Sequence, residues 1–224
     1  MNKKFIINEM MTNNVHLGHK KNLMNQNMKK FIININKKVH IINLEITFKS
    51  LKNISIMLKN IKKNNKSFLI VCVEKKMKKI VKTIFKKMNN PFVCKRWLGG
   101  TFTNFETLKT TINNVNYLKI IVKNKNNKLK KKKIETYKKK IKKSMSFLEG
   151  LINMKILPEY LFVINVKKNK NALEEAKKMN ISTIGIVDTN NSTKNIDYLI
   201  PGNDDSYKSI FFFIKKIVKM LNVE

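Results

Sequence analysis

Four short stretches of this sequence carry residue types that could do chemistry. The first is Arg96-Trp97-Leu98-Gly99-Gly100, followed by Thr101-Phe102-Thr103-Asn104. Glycines let a backbone approach a phosphate, a guanidinium can clamp one with paired hydrogen bonds, and an indole can stack on a base. The same residues suit a tight turn entering a helix, with Thr103 or Asn104 as N-cap. Arg96 is the single Arg among the 48 Lys and Arg residues, which marks a position where a planar fork does what an ammonium cannot.

The second stretch is the pair His16 and His19 around Leu17-Gly18. A metal site would need two further ligands, and His40, Cys72 and Cys94 are scattered along the chain. The pair therefore reads as a loop held by histidine hydrogen bonds or touching RNA, with no metal. Lys20, Lys21, Lys29, Lys30, Lys37 and Lys38 surround it and form a patch whose RNA affinity would fall with rising salt. The third stretch, Asp188-Thr189-Asn190, follows a predicted strand, where α/β proteins often bind ligands. The fourth, Pro201-Gly202-Asn203-Asp204-Asp205, reads as a turn whose Asn or Asp caps the last helix. There is no Gly-x-Gly-x-x-Gly, no Gly-Lys-Ser/Thr phosphate loop, and no Cys/His pair spaced as nucleophile and base. With 6 glycines in 224 residues a cofactor cradle is hard to build. The expectation is a protein without catalytic activity, cofactor or small-molecule substrate.

These stretches must be positioned by regular elements. Val39–Leu44 reads as a strand, and Phe48, Leu51, Ile54, Leu58 and Ile61 then recur at helical spacing. The apolar run Ser67–Val73 suits a strand buried on both faces, and Met77 to Met88 a second helix. The last third repeats this order: strands at Leu161–Val166, Ser182–Val187 and Tyr198–Ile200, helices at Ala172–Met179 and Ser206–Leu221. Such alternation predicts an α/β fold whose mostly parallel sheet is flanked by helices. Between the halves, Phe105, Leu108, Ile112, Val115, Leu118 and Val122 form one narrow apolar stripe. Ile134, Tyr137, Ile141, Met145 and Leu148 form another, and Lys123 to Lys128 is a polar turn. Two such stripes bury against each other, which predicts an inserted antiparallel coiled-coil hairpin. Gly150 would mark its end. The expected division is a basic RNA-facing segment at 1–38, an α/β domain at 39–102 and 151–224, and the hairpin at 103–150.

The net charge of +34 calls for a polyanionic partner. An A/T-biased genome could inflate lysine along a whole chain, but the charge is uneven. Residues 1–150 hold 37 Lys and Arg against 6 Asp and Glu, whereas residues 151–224 hold 11 against 8. That asymmetry favours one RNA-facing region and one ordinary globular region. No apolar run approaches the roughly 18 residues of a membrane span. Phe5-Ile6-Ile7 is too brief for a secretory core. Cys72 and Cys94 lie in apolar stretches and fit burial in a reducing compartment.

Several motifs, taken in order, resemble the ribosomal protein uS2 family. They are Val15-His16-Leu17-Gly18-His19, Lys38-Val39-His40-Ile41-Ile42-Asn43-Leu44-Glu45, Arg96-Trp97-Leu98-Gly99-Gly100 with Thr103-Asn104, Leu157-Pro158-Glu159, Glu175-Ala176, Asp188-Thr189-Asn190 and Ile200 to Asp205. Their order and spacing agree over nearly the whole chain. Glu159 stands where the family usually has Asp, and Ser182 where Pro or Ala is usual. The resemblance implies a Rossmann-like domain with an inserted hairpin, in the ribosome of a bacterial cytoplasm or an organelle. It also implies contact with 16S-type ribosomal RNA and other small-subunit proteins, among them the large mRNA-binding protein, and no membrane partner. His16, His19, Lys20, Lys21, Lys29, Lys30, Lys37, Arg96, Trp97, Gly99, Gly100 and Asn104 are the expected RNA-binding residues. A free-standing nucleic-acid-binding or RNA-processing protein on a nucleotide-type fold is the alternative.

Overall fold

Each apolar run divides its side chains between two layers, because successive residues of a strand point to opposite faces. In the computed structural model, which describes residues 3–64, 66–124 and 131–222, the chain opens with α1 (Lys3–Thr12) and β1 (Leu17–Lys20). Then come β2 (Ile32–Asn36), β3 (Val39–Ile42), α2 (Leu44–Lys63), β4 (Phe68–Cys72), α3 (Lys78–Lys87) and β5 (Phe92–Val93). After α4 (Phe105–Lys123) and α5 (Lys131–Leu148) follow β6 (Tyr160–Ile164), α6 (Lys170–Lys178), β7 (Ser182–Val187), β8 (Tyr198–Pro201) and α7 (Tyr207–Asn222). Strands β4 to β8 form one parallel sheet in the order β5-β4-β6-β7-β8. This is the doubly wound order in which the direction of winding reverses between β4 and β6. Phe68, Ile70 and Cys72 of β4 join a core with α1, α2, α3 and α7, while Leu69 and Val71 join a second core with α4 and α6. Both faces are buried, so the strands read as unbroken apolar runs.

The mostly parallel α/β expectation holds, with one difference. The strand expected at 39–44 is β3, and it does not enter the parallel sheet. It pairs antiparallel with β1 and β2 in a separate three-stranded sheet. Lys37 and Lys38, both at positive φ, make the two-residue turn between β2 and β3. The segment before residue 39 also contributes to the core, through Ile6, Met10, Val15 and Met28.

The start of α4 (Thr107, Leu108, Thr111) faces the end of α5 (Ser144, Phe147, Leu148) across one cleft, so the two helices run in opposite directions. Phe105, Leu108, Ile112 and Val115 are buried, and Leu118 and Val122 are half-buried, as in a stripe that loses cover away from the sheet. Most of the turn expected at Lys123–Lys128 lies outside the described residues. Gly150 follows α5, but a left-handed helix end is not why it is glycine. Its carbonyl accepts from Phe92 N at 3.0 Å, and a Cβ there would stand 2.0 Å from Phe92 O. Among the described residues no helix is long and apolar enough to cross a membrane.

Candidate nucleic-acid interface

The elbow between β5 and α4 is organised by a residue far away in sequence. Glu175 on α6 shares its helix face with buried Ala172, Leu173 and Ala176 and is itself buried. Its Oε1 accepts from Trp97 Nε1 at 3.0 Å and from Gly100 N at 2.9 Å. Its Oε2 accepts from Phe102 N at 2.9 Å and Thr103 N at 3.4 Å. A turn that fans its N–H groups toward one point is an anion cradle, and here the anion is the protein's own carboxylate. Gly100 has φ +84°, the one positive-φ glycine among the described residues, and that conformation aims its N–H into the cradle.

Two sequence expectations change as a result. Trp97 does not offer its ring to a base: it is buried, and its indole meets the Phe102 ring edge-on with centroids 4.8 Å apart. Gly100 gives its N–H to Glu175 and not to a phosphate. The signal in the sequence that points to Glu175 is a carboxylate set among the apolar positions of an amphipathic helix, where only a hydrogen-bonded charge is tolerated.

The outer side of the elbow remains free. Lys95, Arg96, Gly99, Thr103 and Asn104 are exposed, and nothing lies within 4 Å of where a Gly99 Cβ would be. Arg96 makes no hydrogen bond or ion pair among the described residues. Asn104 occupies the N-cap position of α4, yet its side chain accepts from the Thr107 hydroxyl at 2.6 Å and not from a helix N–H. Lys95 reaches the other hairpin helix, with its Nζ 3.0 Å from Ser146 Oγ and 4.1 Å from the centre of the Phe147 ring.

The histidine pair divides. His16 is half-buried, and burial lowers its pKa. His19 is clamped between two carboxylates, with Nδ1 3.2 Å from Asp188 Oδ2 and Nε2 3.0 Å from Asp205 Oδ2. The first of these is an ion-pair contact lying off the line of a good hydrogen bond. Around it, His19 N donates to Thr189 Oγ1, Asn25 N to Thr189 O, and Asn203 Nδ2 to Leu17 O. The carboxyl edge of β7, where a ligand would sit in a nucleotide-type fold, is thus covered by the chain's own β1 segment. Gly18 allows this, because a Cβ there would lie 2.6 Å from Thr189 Cγ2. Asn203 Oδ1 also accepts from Asp205 N and Ser206 N, which closes the expected turn just ahead of α7. Among the described residues no group of three or more His, Cys, Asp or Glu is arranged to hold a metal.

The clamp has a pH signature. Asp204 is buried beside Asp188 and Asp205, and its carboxyl is pushed up to about 8, against the help of Asn191 Nδ2 at 2.6 Å and of His19. The His19 pKa is also raised, first by its contact with Asp188 and then by the charges of Asp205 and Asp204, with burial opposing. Both folded-state values lie above the unfolded ones. Each group therefore contributes fully below its unfolded pKa, and the contribution is lost as pH rises through the folded value. For Asp204 that loss is expected between roughly pH 4 and 8, and His19 adds to it only above its unfolded value of 6.5. Asp204→Asn should flatten that fall. Thermal melts across the range test this, and equal slopes in the two proteins would sink the assignment.

Lys20, Lys21, Lys29, Lys30 and Lys37 are all exposed. Met28, wholly buried in the same core as Trp97 and Phe102, anchors the turn that presents Lys29 and Lys30. The lysines of α5 are more concentrated still. Lys131, Lys132, Lys133, Lys138, Lys139, Lys140, Lys142 and Lys143 are all exposed, and none forms an ion pair among the described residues.

A family model described as Ribosomal protein S2 matches residues 10–222 of this chain. The chain is similar to the small ribosomal subunit protein uS2 of Karelsulcia muelleri (strain GWSS), with 35% identity over 210 residues, 92% of this chain and 93% of that protein. It is also similar to the small ribosomal subunit protein uS2 of Francisella tularensis subsp. novicida (strain U112). There the identity is 37% over 212 residues, 94% of this chain and 89% of that protein.

Proposed function

The chain belongs to the ribosomal protein S2 family and is a structural constituent of the small ribosomal subunit, and on that premise we propose which of its surfaces meet ribosomal RNA. They are the face of α5, the lysine patch around β1 and the β2–β3 turn, and the outer side of the elbow at Arg96, Gly99 and Asn104. Neighbouring small-subunit proteins complete its surroundings, and it has no catalytic role.

The α5 lysines carry this reading. Lys138 and Lys142, or Lys139 and Lys143, stand one helical turn apart, and like charges at that spacing destabilise a helix by a few tenths of a kcal/mol each. Glu135 is the one acidic residue within α5. A helix built against itself in this way is relieved when phosphates neutralise it, with release of the counterions condensed on the RNA. Neutralising Lys138, Lys139 and Lys142 to Gln should lower RNA affinity and flatten its dependence on salt. An unchanged salt slope would remove α5 from the interface.

Arg96 tests the elbow separately. Exposed, and unpaired among the described residues, it suits a two-pronged phosphate contact that lysine cannot copy. Arg96→Lys should leave the melting temperature unchanged and reduce incorporation into small subunits several-fold, read by co-sedimentation in a sucrose gradient. Incorporation equal to wild type would refute the bidentate role.

A further inference from the structure

Helix α2 carries two stripes. Leu51, Ile54, Leu58 and Ile61 point into the core and are buried. A second stripe, Phe48, Lys52, Ser55, Ile56 and Lys59, lies beside the first and lines an open groove of about 540 Å³ that Lys3 of α1 and Lys219 and Met220 of α7 complete. Its apolar members are Phe48, Met220 and Ile56, of which Ile56 is the most exposed, at 56%. Its charged members are four lysines and no acid. Lys3 pairs with Glu45, whereas Lys52, Lys59 and Lys219 have no ion pair among the described residues.

We propose that this groove between α2 and α7 docks an acidic amphipathic helix of a neighbouring protein. The apolar floor gives nothing to a phosphate backbone and would be dehydrated without return beneath an RNA strand. A helix with apolar residues one turn apart and carboxylates on both flanks satisfies floor and rim together. The groove is distinct from the elbow and from the carboxyl-edge clamp, so it adds a protein-facing surface to the RNA-facing ones.

The test uses the full-length protein and a fluorescent synthetic helix with leucines along one face and glutamates on its flanks. Ile56→Asp should weaken binding about tenfold, as expected when an apolar anchor becomes a charge. Ile33→Asp, the same charge change at an exposed site on β2, should not. Equal weakening by both, or undiminished binding of the peptide with its leucines changed to serine, would mean bulk charge attraction and overturn the proposal. A photo-crosslinker at position 56 in purified small subunits gives the second readout. Joining to a protein segment with apolar residues flanked by Asp or Glu supports the proposal, and joining to RNA or to nothing overturns it. The inference rests on the ribosomal reading only in this second readout, so failure of that reading would leave the peptide result standing.

Discussion

Glu175→Ala is expected to destabilise the protein by about 3–5 kcal/mol, more than most single changes anywhere in a domain of this size. Four donors converge on that one carboxylate: the Trp97 indole and the N–H groups of Gly100, Phe102 and Thr103. Hydrogen bonds to a charged acceptor are the stronger kind, and deleting the acceptor leaves buried donors facing a cavity. Glu175→Gln should also cost stability, since its amide nitrogen would point a donor at donors. Urea unfolding followed by Trp fluorescence reads both, because Trp97 is the single tryptophan and lies in the perturbed site. A loss below about 1 kcal/mol for the alanine variant would show that the elbow is held by something else. The functional consequence follows from position. With the cradle empty, Arg96 and Asn104 no longer sit on a fixed turn, so incorporation into subunits should fall even at temperatures where the domain stays folded.

Gly150→Ala should be the second severe change, at about 3 kcal/mol. The added methyl would meet Phe92 O at 2.0 Å and the Phe92 ring at 2.7 Å. The carbonyl oxygen is backbone of an edge strand and cannot rotate away, and Phe92 N is held to Gly150 O. Relief requires moving either β5 or the end of the hairpin. Gly99→Ala is the matched control, since a methyl there meets nothing within 4 Å. Its expected effect is within about half a kcal/mol. If the two glycine variants unfold at the same urea concentration, close approach is not why residue 150 is glycine.

Much of the architecture is legible in the order and spacing of residues alone. The runs around Leu69 and Leu161, the helical spacing through Leu51 to Ile61, and the twin stripes of residues 105–148 each expose a periodicity that only one kind of element can bury. The exposure of Arg96 and of the lysines at residues 20–37 is legible as well, because an exposed cation needs no partner within the chain. Helix α1 escapes such a reading because its buried residues, Ile6 and Met10, are too few to set a period. The sheet of β1, β2 and β3 escapes it because antiparallel pairing depends on partners that local sequence does not name.

By itself, then, the sequence determined the layered α/β plan, the helical insertion and the one-sided charge, since each depends on spacing or sums along the chain. Only the tertiary structure decided which anion the elbow's donors serve, a carboxylate 75 residues from Gly100. It alone showed His19 clamped by Asp188 and Asp205, far along the chain, with β1 laid over the sheet edge where a ligand would otherwise bind. The physical reason is the same in both cases. A glycine turn or a histidine announces that it will donate hydrogen bonds, but the acceptor is chosen by whatever the folded chain brings within about 3 Å.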